Sequence, residues 1–188
     1  KSDFTLYLDD SSGVPQSALF TVKARKSWNA LTPKIGLNYK VSRDILFYVD
    51  FSRGFKAGGF DRASTSAANA AAPFGPEKVS AYEGGIKSTL FDGALVANIA
   101  GFYNHIDGLQ ASIFIPDTNT FRRGNAGTAR TYGFELETIL APVSTVQWRN
   151  SAGYTNAHYL RFPEPSGPGT DASGNRVAFT PNWTLNSE

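Results

Sequence analysis

Three carboxylates in this chain could do chemistry: Glu135 and Glu137 stand two residues apart, and Glu83 is of the same type. Such a group could act as a general acid and base, or hold a metal ion. The alternative is that these carboxylates lie on the polar faces of strands. The sequence favours the alternative, because its two histidines, His105 and His158, are too few for a His-rich metal site and lack the HExxH spacing. We therefore expect no catalytic residue, no metal site and no cofactor.

Cations next to aromatic residues form a second candidate site. Arg122 and Arg123 follow Phe121 in the segment "TFRRGN", and guanidinium groups bind anions through charge-assisted hydrogen bonds. A glycine-rich segment earlier in the chain offers a similar set, Lys56, Phe60 and Arg62. Both sets are candidates for binding an anionic ligand. The alternative is that they contact lipid phosphates or are simply solvated.

The composition excludes several classes of protein. Hydrophobic residues make up 41% of the 188 residues and charged residues 18%, so the chain is not disordered by composition. A net charge of +2 without a basic stripe does not indicate nucleic-acid binding. Cysteine is absent, which excludes a disulfide framework and thiolate chemistry. No apolar stretch approaches the roughly 18 residues of a membrane-spanning helix, but this does not exclude strands that cross a membrane.

Strict alternation of apolar and polar residues is the strongest signal in the chain, and it predicts strands. In residues 45–51, for example, the apolar set Ile45, Phe47 and Val49 alternates with Tyr48 and Asp50. Glu83, Lys87, Glu135 and Glu137 likewise oppose apolar neighbours. The predicted strands are 34–41, 45–51, 81–90, 94–106, 133–140 and 146–154, with fragments at about 2–9, 18–25 and 179–187.

Short and long connections alternate between these strands. The short ones are 41–44, 91–93 and 141–145, and the long ones, rich in Gly, Ala, Pro and Ser, are roughly 56–76, 107–127 and 161–177. Within 62–77, the alanines allow one helical turn. The pattern predicts an all-β, antiparallel up-and-down meander with unequal rims, which is typical of a transmembrane β-barrel. A soluble β-sandwich remains the alternative, and would bury the same apolar residues in a protein core.

Four segments resemble the β-barrel of TonB-dependent outer-membrane receptors. They are "WNALTPKIGLNYKVSRDILFYVDFSRGFKAGGF" (28–60), "GPEKVSAYEGGIKSTLFDGAL" (75–95), "GNAGTARTYGFELETILAP" (124–142) and "FTPNWTLN" (179–186). The resemblance implies a barrel of about 22 strands, of which about six to nine lie in this chain. Neither a plug domain nor a closing C-terminal strand has a match, so we expect residues 1–188 to be an internal segment of the barrel.

The resemblance also implies a function. Such a receptor takes up a scarce solute (siderophore-bound iron, haem, a cobalamin or an oligosaccharide) through the bacterial outer membrane. Its expected partners are the TonB complex, acting through the plug, and outer-membrane lipid including lipopolysaccharide. Lys56, Phe60, Arg62, Phe121, Arg122 and Arg123 are then candidate ligand contacts in external loops, and Asp50, Glu83, Lys87, Glu135 and Glu137 are expected to face the lumen. A soluble binding module such as an adhesin or lectin-like sandwich, and a passive diffusion porin, remain the alternatives.

Overall fold

A long antiparallel sheet dominates the computed structural model, which describes residues 2–9, 15–61, 67–116, 119–143, 145–163 and 170–188. Seven strands form this sheet in the order β11-β10-β9-β8-β7-β4-β3. Their bounds are β3 Lys34–Lys40, β4 Ile45–Lys56, β7 Glu77–Leu90, β8 Leu95–Ile115, β9 Thr120–Val143, β10 Val146–Arg161 and β11 Trp183–Ser187. Each strand pairs with its neighbour in the meander, so the predicted all-β antiparallel architecture is confirmed.

Smaller elements flank the sheet. Strands β1 (Ser2–Asp9) and β2 (Pro15–Ala24) pair only with each other among the described residues. The connection between β4 and β7 holds a two-stranded ribbon, β5 (Gly59–Phe60) with β6 (Pro73–Phe74), and the short helix α1 (Ala67–Ala71). This helix is the single helical turn that the alanines allow. No helix in the described ranges is long and apolar enough to cross a bilayer.

The register divides the sheet into two faces. Asp50 lies opposite Glu83, while Lys87 and Glu137 share Asn98 as their cross-strand neighbour. Because side chains alternate along a strand, these residues and Glu135 occupy one side of the sheet, here called the polar face. The other side, the apolar face, carries Ile35, Leu37, Phe47, Val49, Tyr82, Leu136 and Trp148.

The apolar face has no covering layer in the described part of the chain. Leu37 is 71% exposed and Val49 56%, and Ile35, Phe47, Leu136 and Trp148 are exposed as well. The described residues that are buried and apolar are mostly small alanines, such as Ala129 and Ala157. A soluble sandwich would bury this face against a second sheet. The arrangement instead matches a barrel wall that presents apolar side chains outward.

The prediction of a long loop over 107–127 was wrong. Strand β8 continues to Ile115 and β9 begins at Thr120, so most of that segment is a hairpin that extends the ladder. Two register shifts, between Asp107 and Leu109 and between Leu109 and Gln110, interrupt the alternation at the base of the hairpin. Gly108 has a φ of 65°, which glycine adopts without strain. Because of these bulges and the glycines, the segment lacks the regular alternation of apolar and polar residues from which strands are predicted.

Candidate ligand-binding cleft and polar face

The candidate cleft lies where two elements meet at the end of the sheet that carries the long connections. One element is the connection between β4 and β7, of which residues 57–61 and 67–76 are described, and the other is the hairpin extension of β8 and β9. Asn125 joins them through its side-chain amide. Its Oδ1 accepts the Gly75 N–H at 2.6 Å, and its Nδ2 donates to the Gly108 carbonyl at 2.7 Å and the Gly75 carbonyl at 3.1 Å.

Gln110 and Glu77 complete this clamp. The Gln110 side chain donates to the carbonyl oxygens of Ala57 at 3.0 Å and Gly75 at 3.1 Å, so it contacts both ends of the 57–76 segment. The backbone N–H of Gln110 donates to Glu77 Oε2 at 2.7 Å. Satisfied polar contacts of this kind fix the segment against the hairpin. No motif in the sequence marks any of these three residues as functional, although Asn125 and Glu77 both lie in segments that resemble the family.

A cleft of about 250 Å³ opens between the clamped segment and the hairpin. Its lining includes Asp61, Asn69, Phe74, Ile113, Arg122 and Arg123. Asp61 is only 8% exposed, and its Oδ2 accepts the backbone N–H of Arg123 at 3.1 Å. The backbone of the hairpin is therefore anchored to the segment that forms the opposite wall. Both arginines are exposed.

The structure brings some of the predicted ligand contacts together and separates others. Arg122 and Arg123 both line the cleft. Phe121 does not; it packs against Phe114 with ring centroids 5.2 Å apart and is 62% exposed. Phe60 packs edge-on against Trp28 at 6.4 Å, and Lys56 lies opposite Glu77 at the end of β4. Arg62 lies outside the described residues.

The polar face carries a hydrogen bond at its centre. The Tyr48 hydroxyl donates to Glu83 Oε1 at 2.6 Å, and the Lys87 ammonium lies 5.5 Å from the centroid of the Tyr48 ring. Gly85 provides room for that ring, because a Cβ there would stand 2.7 Å from a Tyr48 ring carbon. Glu83 also lies directly opposite Asp50, and two like charges in this position destabilise a strand pair.

Asp50, Glu135 and Glu137 on this face make no ion pair within the described residues. Instead Lys87 contacts the Tyr48 ring, and Arg149 lies 3.6 Å from Glu188. The reason is the register, because Asn98 separates Lys87 from Glu137 and Arg149 lies opposite Ile139. In the part of the chain that the structure describes, no three His, Asp or Glu side chains cluster closely enough to hold a metal ion.

Comparison with known proteins identifies the family. The family model described as "TonB dependent receptor-like, beta-barrel" matches residues 4–187. The chain belongs to this family. It is 31% identical over 115 residues to the metal-pseudopaline receptor CntO of Pseudomonas aeruginosa. The aligned region covers 61% of this chain and 15% of that protein. The chain thus spans a small part of the length of the curated relatives that it matches.

Solved structures of outer-membrane receptors share the fold. The ferric-catecholate import receptor Fiu from K12 E. coli aligns with a TM-score of 0.65 at 18% identity, over 98% of this chain and 27% of its own. The ferric yersiniabactin uptake receptor FyuA from Yersinia pestis aligns with a TM-score of 0.64 at 24% identity, over 83% of this chain and 22% of its own. At these identities the likeness shows the fold alone.

Family membership decides between the alternatives left open by the sequence. TonB-dependent receptors are β-barrels of the bacterial outer membrane, which is therefore the location of this chain. The family consists of non-enzymatic transporters rather than enzymes. The soluble adhesin-like or lectin-like module and the passive diffusion porin are both set aside by the family match.

Proposed function

We propose that this chain forms part of the barrel wall of a receptor that imports an anionic metal chelate, such as a ferric siderophore, across the outer membrane. The observation that carries the proposal is the cleft at the long-connection end, which Arg122 and Arg123 both line. The naming of the CntO relative as a metal-pseudopaline receptor supports a metal chelate over haem, a cobalamin or an oligosaccharide.

The charges at the cleft favour an anionic ligand. Arg122 and Arg123 both line it, and a guanidinium group can donate two parallel hydrogen bonds to a carboxylate or a similar planar oxygen pair. Asp61 is the carboxylate on the opposing wall, and one of its oxygens already accepts the Arg123 backbone N–H. Phe74 and Ile113, which also line the cleft, add apolar surface against which a chelator backbone can pack. In this proposal, the long-connection end of the sheet is the external rim.

The polar face completes the proposal as the lumen wall. Asp50, Glu83, Lys87, Glu135 and Glu137 would face the interior of the closed barrel, whose lumen is normally polar. The outer strands β3 and β11 would pair with further strands of the barrel, because an open sheet edge is not tolerated in a bilayer. Energy for inward release would come from the TonB complex, as expected for the family, and the apolar face would contact lipid.

The direct experiment measures chelate binding by the complete receptor after replacing Arg122 and Arg123 with glutamine. Binding of a ferric tris-catecholate is measured by isothermal titration calorimetry in detergent. A hydrogen bond to a charged group contributes about 1.5–3 kcal/mol, so we expect Kd to rise roughly tenfold or more for each arginine that contacts the ligand. Arg43→Gln is the matched control, because Arg43 is an exposed arginine in the short 41–44 connection at the other end of the sheet.

An unchanged Kd in the Arg122→Gln/Arg123→Gln receptor would contradict the proposed role of the cleft. An equal rise in Kd for the Arg43→Gln control would also contradict it, because the effect would then come from net charge instead of from contact. Failure of every chelate in a panel of ferric siderophores to bind the unmodified receptor, with a neutral cobalamin binding instead, would overturn the substrate class.

A further inference from the structure

Trp28 lies against one wall of the cleft without lining it. Its indole ring and the Phe60 ring pack edge-on, with centroids 6.4 Å apart. A Cβ on Gly58 would stand 2.7 Å from Trp28 Cε2, so the glycine leaves room for the indole at that position. The described residues that line the cleft include Asp61 and Phe74 but not Trp28. The indole therefore contacts the wall from outside the cleft.

The two glycines of "AGGF" (57–60) each accommodate one aromatic ring. Gly58 makes room for Trp28, as described above. Gly59 lies opposite Phe74 in the β5–β6 ribbon, and a Cβ there would stand 2.8 Å from Phe74 Cζ. A ring that covers a cross-strand glycine stabilises the pairing of the two strands. The ribbon thus receives one ring from its own partner strand and one from a separate part of the chain.

Trp28 differs from the other two tryptophans of the chain. Trp148 is 52% exposed and Trp183 is 55% exposed, and both lie on the apolar face, as expected of an aromatic belt. Trp28 is half-buried and lies in residues 25–33, which form neither strand nor helix. A role in anchoring the barrel in the membrane would not explain why its ring packs into the space left by Gly58.

The part of the chain that carries Trp28 is attached on both sides of it. The Pro33 carbonyl accepts the Arg53 N–H at 2.9 Å, next to the start of β3. Before Trp28, β2 packs against α1, and both Val22 of β2 and Ala70 of α1 are buried. These attachments restrict the backbone on either side of the indole. Trp28 can therefore hold the ribbon in a defined position.

Asp61 directly follows the ribbon strand that Trp28 contacts. It is 8% exposed, and its Oδ2 accepts the Arg123 N–H at 3.1 Å. At the start of the same stretch, the Ala57 carbonyl accepts the Gln110 side-chain amide at 3.0 Å. The hairpin thus holds this stretch at its two ends, and Trp28 contacts it in between. Movement of the ribbon would displace the carboxylate that fixes the Arg123 backbone.

We propose that Trp28 is a positioning residue of the cleft, which holds Asp61 in place and thereby fixes the spacing between Arg123 and the opposite wall. Removing the indole leaves a gap beside Gly58, and the surrounding structure relaxes partly into such a gap. The spacing between the two walls is then no longer fixed, and a chelate bound by Arg122 and Arg123 loses contact with the opposite wall. The effect on ligand rests on the proposed function, whereas the effect on Asp61 does not.

The test begins with hydrogen–deuterium exchange of the complete Trp28→Ala receptor without ligand, resolved to single amides by fragmentation. We expect the Arg123 amide to exchange roughly fivefold faster, which corresponds to the loss of about one net hydrogen bond. The Thr89 amide donates to the Asp44 carbonyl at 2.9 Å at the short-connection end, and its exchange should not change. Trp148→Ala is the matched control, because it removes an indole far along the sheet from the cleft.

Titration of the ferric tris-catecholate gives the second readout. We expect Kd to rise about fivefold in the Trp28→Ala receptor and to stay unchanged in the Trp148→Ala receptor. Trp28→Phe keeps an aromatic ring beside Gly58, so it should retain most of the affinity and most of the protection at Arg123. In an Asp61→Ala receptor, Trp28→Ala should weaken binding no further, because residues that act through one another are not additive.

Three results would overturn the proposal. The first is unchanged exchange at Arg123 in the Trp28→Ala receptor. The second is equal acceleration at Arg123 and Thr89, because Trp28 would then stabilise the whole barrel and not the cleft in particular. The third is a full further loss of affinity when Trp28→Ala is added to Asp61→Ala, since Trp28 would then not act through Asp61.

The two readouts also separate this proposal from the proposed function. If Arg122→Gln/Arg123→Gln leaves the chelate Kd unchanged, the cleft does not bind the chelate, and exchange at Arg123 still decides whether Trp28 positions Asp61. If that double variant loses affinity while the Trp28→Ala receptor binds the chelate normally, the cleft is the binding site, but Trp28 does not position it and the proposal fails.

Discussion

Asn125 is the single residue on which the geometry of the cleft depends most. Its amide satisfies the Gly75 N–H and the carbonyl oxygens of Gly75 and Gly108, three backbone groups from two different segments. An unpaired backbone group costs free energy, so the side chain stabilises the position of the described residues that lead into β7, residues 67–76. No property of the residue type reveals this, because asparagine in a glycine-rich stretch is also typical of an ordinary turn.

We expect Asn125→Ala to loosen the 57–76 segment without melting the barrel. A net hydrogen bond is worth about 1 kcal/mol, so the Gly75 amide should exchange with solvent roughly fivefold faster or more. Hydrogen–deuterium exchange of the complete receptor measures this. Asn104→Ala is the control, since the Asn104 amide bonds only the Thr131 hydroxyl on the polar face among the described residues. Unchanged exchange at Gly75 would show that the clamp does not hold the segment.

Gly85 illustrates a second requirement at the residue scale, which is space for a neighbouring side chain. A methyl group there would approach the Ile99 carbonyl oxygen at 2.5 Å and the Tyr48 hydroxyl at 2.8 Å, so the Tyr48–Glu83 hydrogen bond could not survive unchanged. We expect Gly85→Ala to destabilise the receptor by about 1–3 kcal/mol, as overpacking commonly does.

The Gly85→Ala effect is measured as the melting temperature of the receptor in detergent, followed by circular dichroism. Gly101→Ala is the matched control on the neighbouring strand, because a methyl group there would find its nearest heavy atom 3.9 Å away. Equal melting temperatures for the two variants would contradict the account of Tyr48 packing over Gly85.

At the element scale, alternation in the sequence predicted the strands that lie within the membrane span and missed their extensions. Residues 34–40 alternate without interruption, residues 45–51 alternate except at Leu46 and residues 146–154 except at Asn150, and each segment lies in a strand. Beyond Asp107 the register shifts of the β8–β9 pair disturb the alternation, so the pattern does not predict the strands past that residue. Side-chain contacts such as Asn125 to Gly75 join residues 50 positions apart, and no local pattern encodes them.

The hairpin extension should behave as a ladder and not as a loop. Backbone hydrogen bonds protect amides from exchange, so amides in 109–115 and 120–125 should exchange at least about tenfold more slowly than those in 25–33. Residues 25–33 serve as the internal reference because they form no strand or helix. The measurement is hydrogen–deuterium exchange with peptide-level mass spectrometry. Equal exchange rates in the two regions would restore the long-loop interpretation of 107–127.

At the scale of the whole molecule, the two faces of the sheet define the environment of the chain. The apolar face leaves Leu37 and Val49 largely exposed, and the polar face presents carboxylates that would be costly in hydrocarbon. The apolar face therefore requires an apolar environment, and the polar face requires an aqueous one. An outer-membrane barrel provides lipid on one side and a polar lumen on the other. The orientation of the cleft depends on this assignment.

A spin-label accessibility scan along β4 in the complete receptor, reconstituted in nanodiscs, tests the assignment most directly. Labels at positions 45, 47, 49 and 51 should collide with lipid-soluble oxygen, and labels at 46, 48, 50 and 52 with a water-soluble quencher. That alternation is the result we predict, because it follows from lipid contact on one face only. Shielding of the odd-numbered positions from both probes would place them in a protein core and contradict the barrel-wall account.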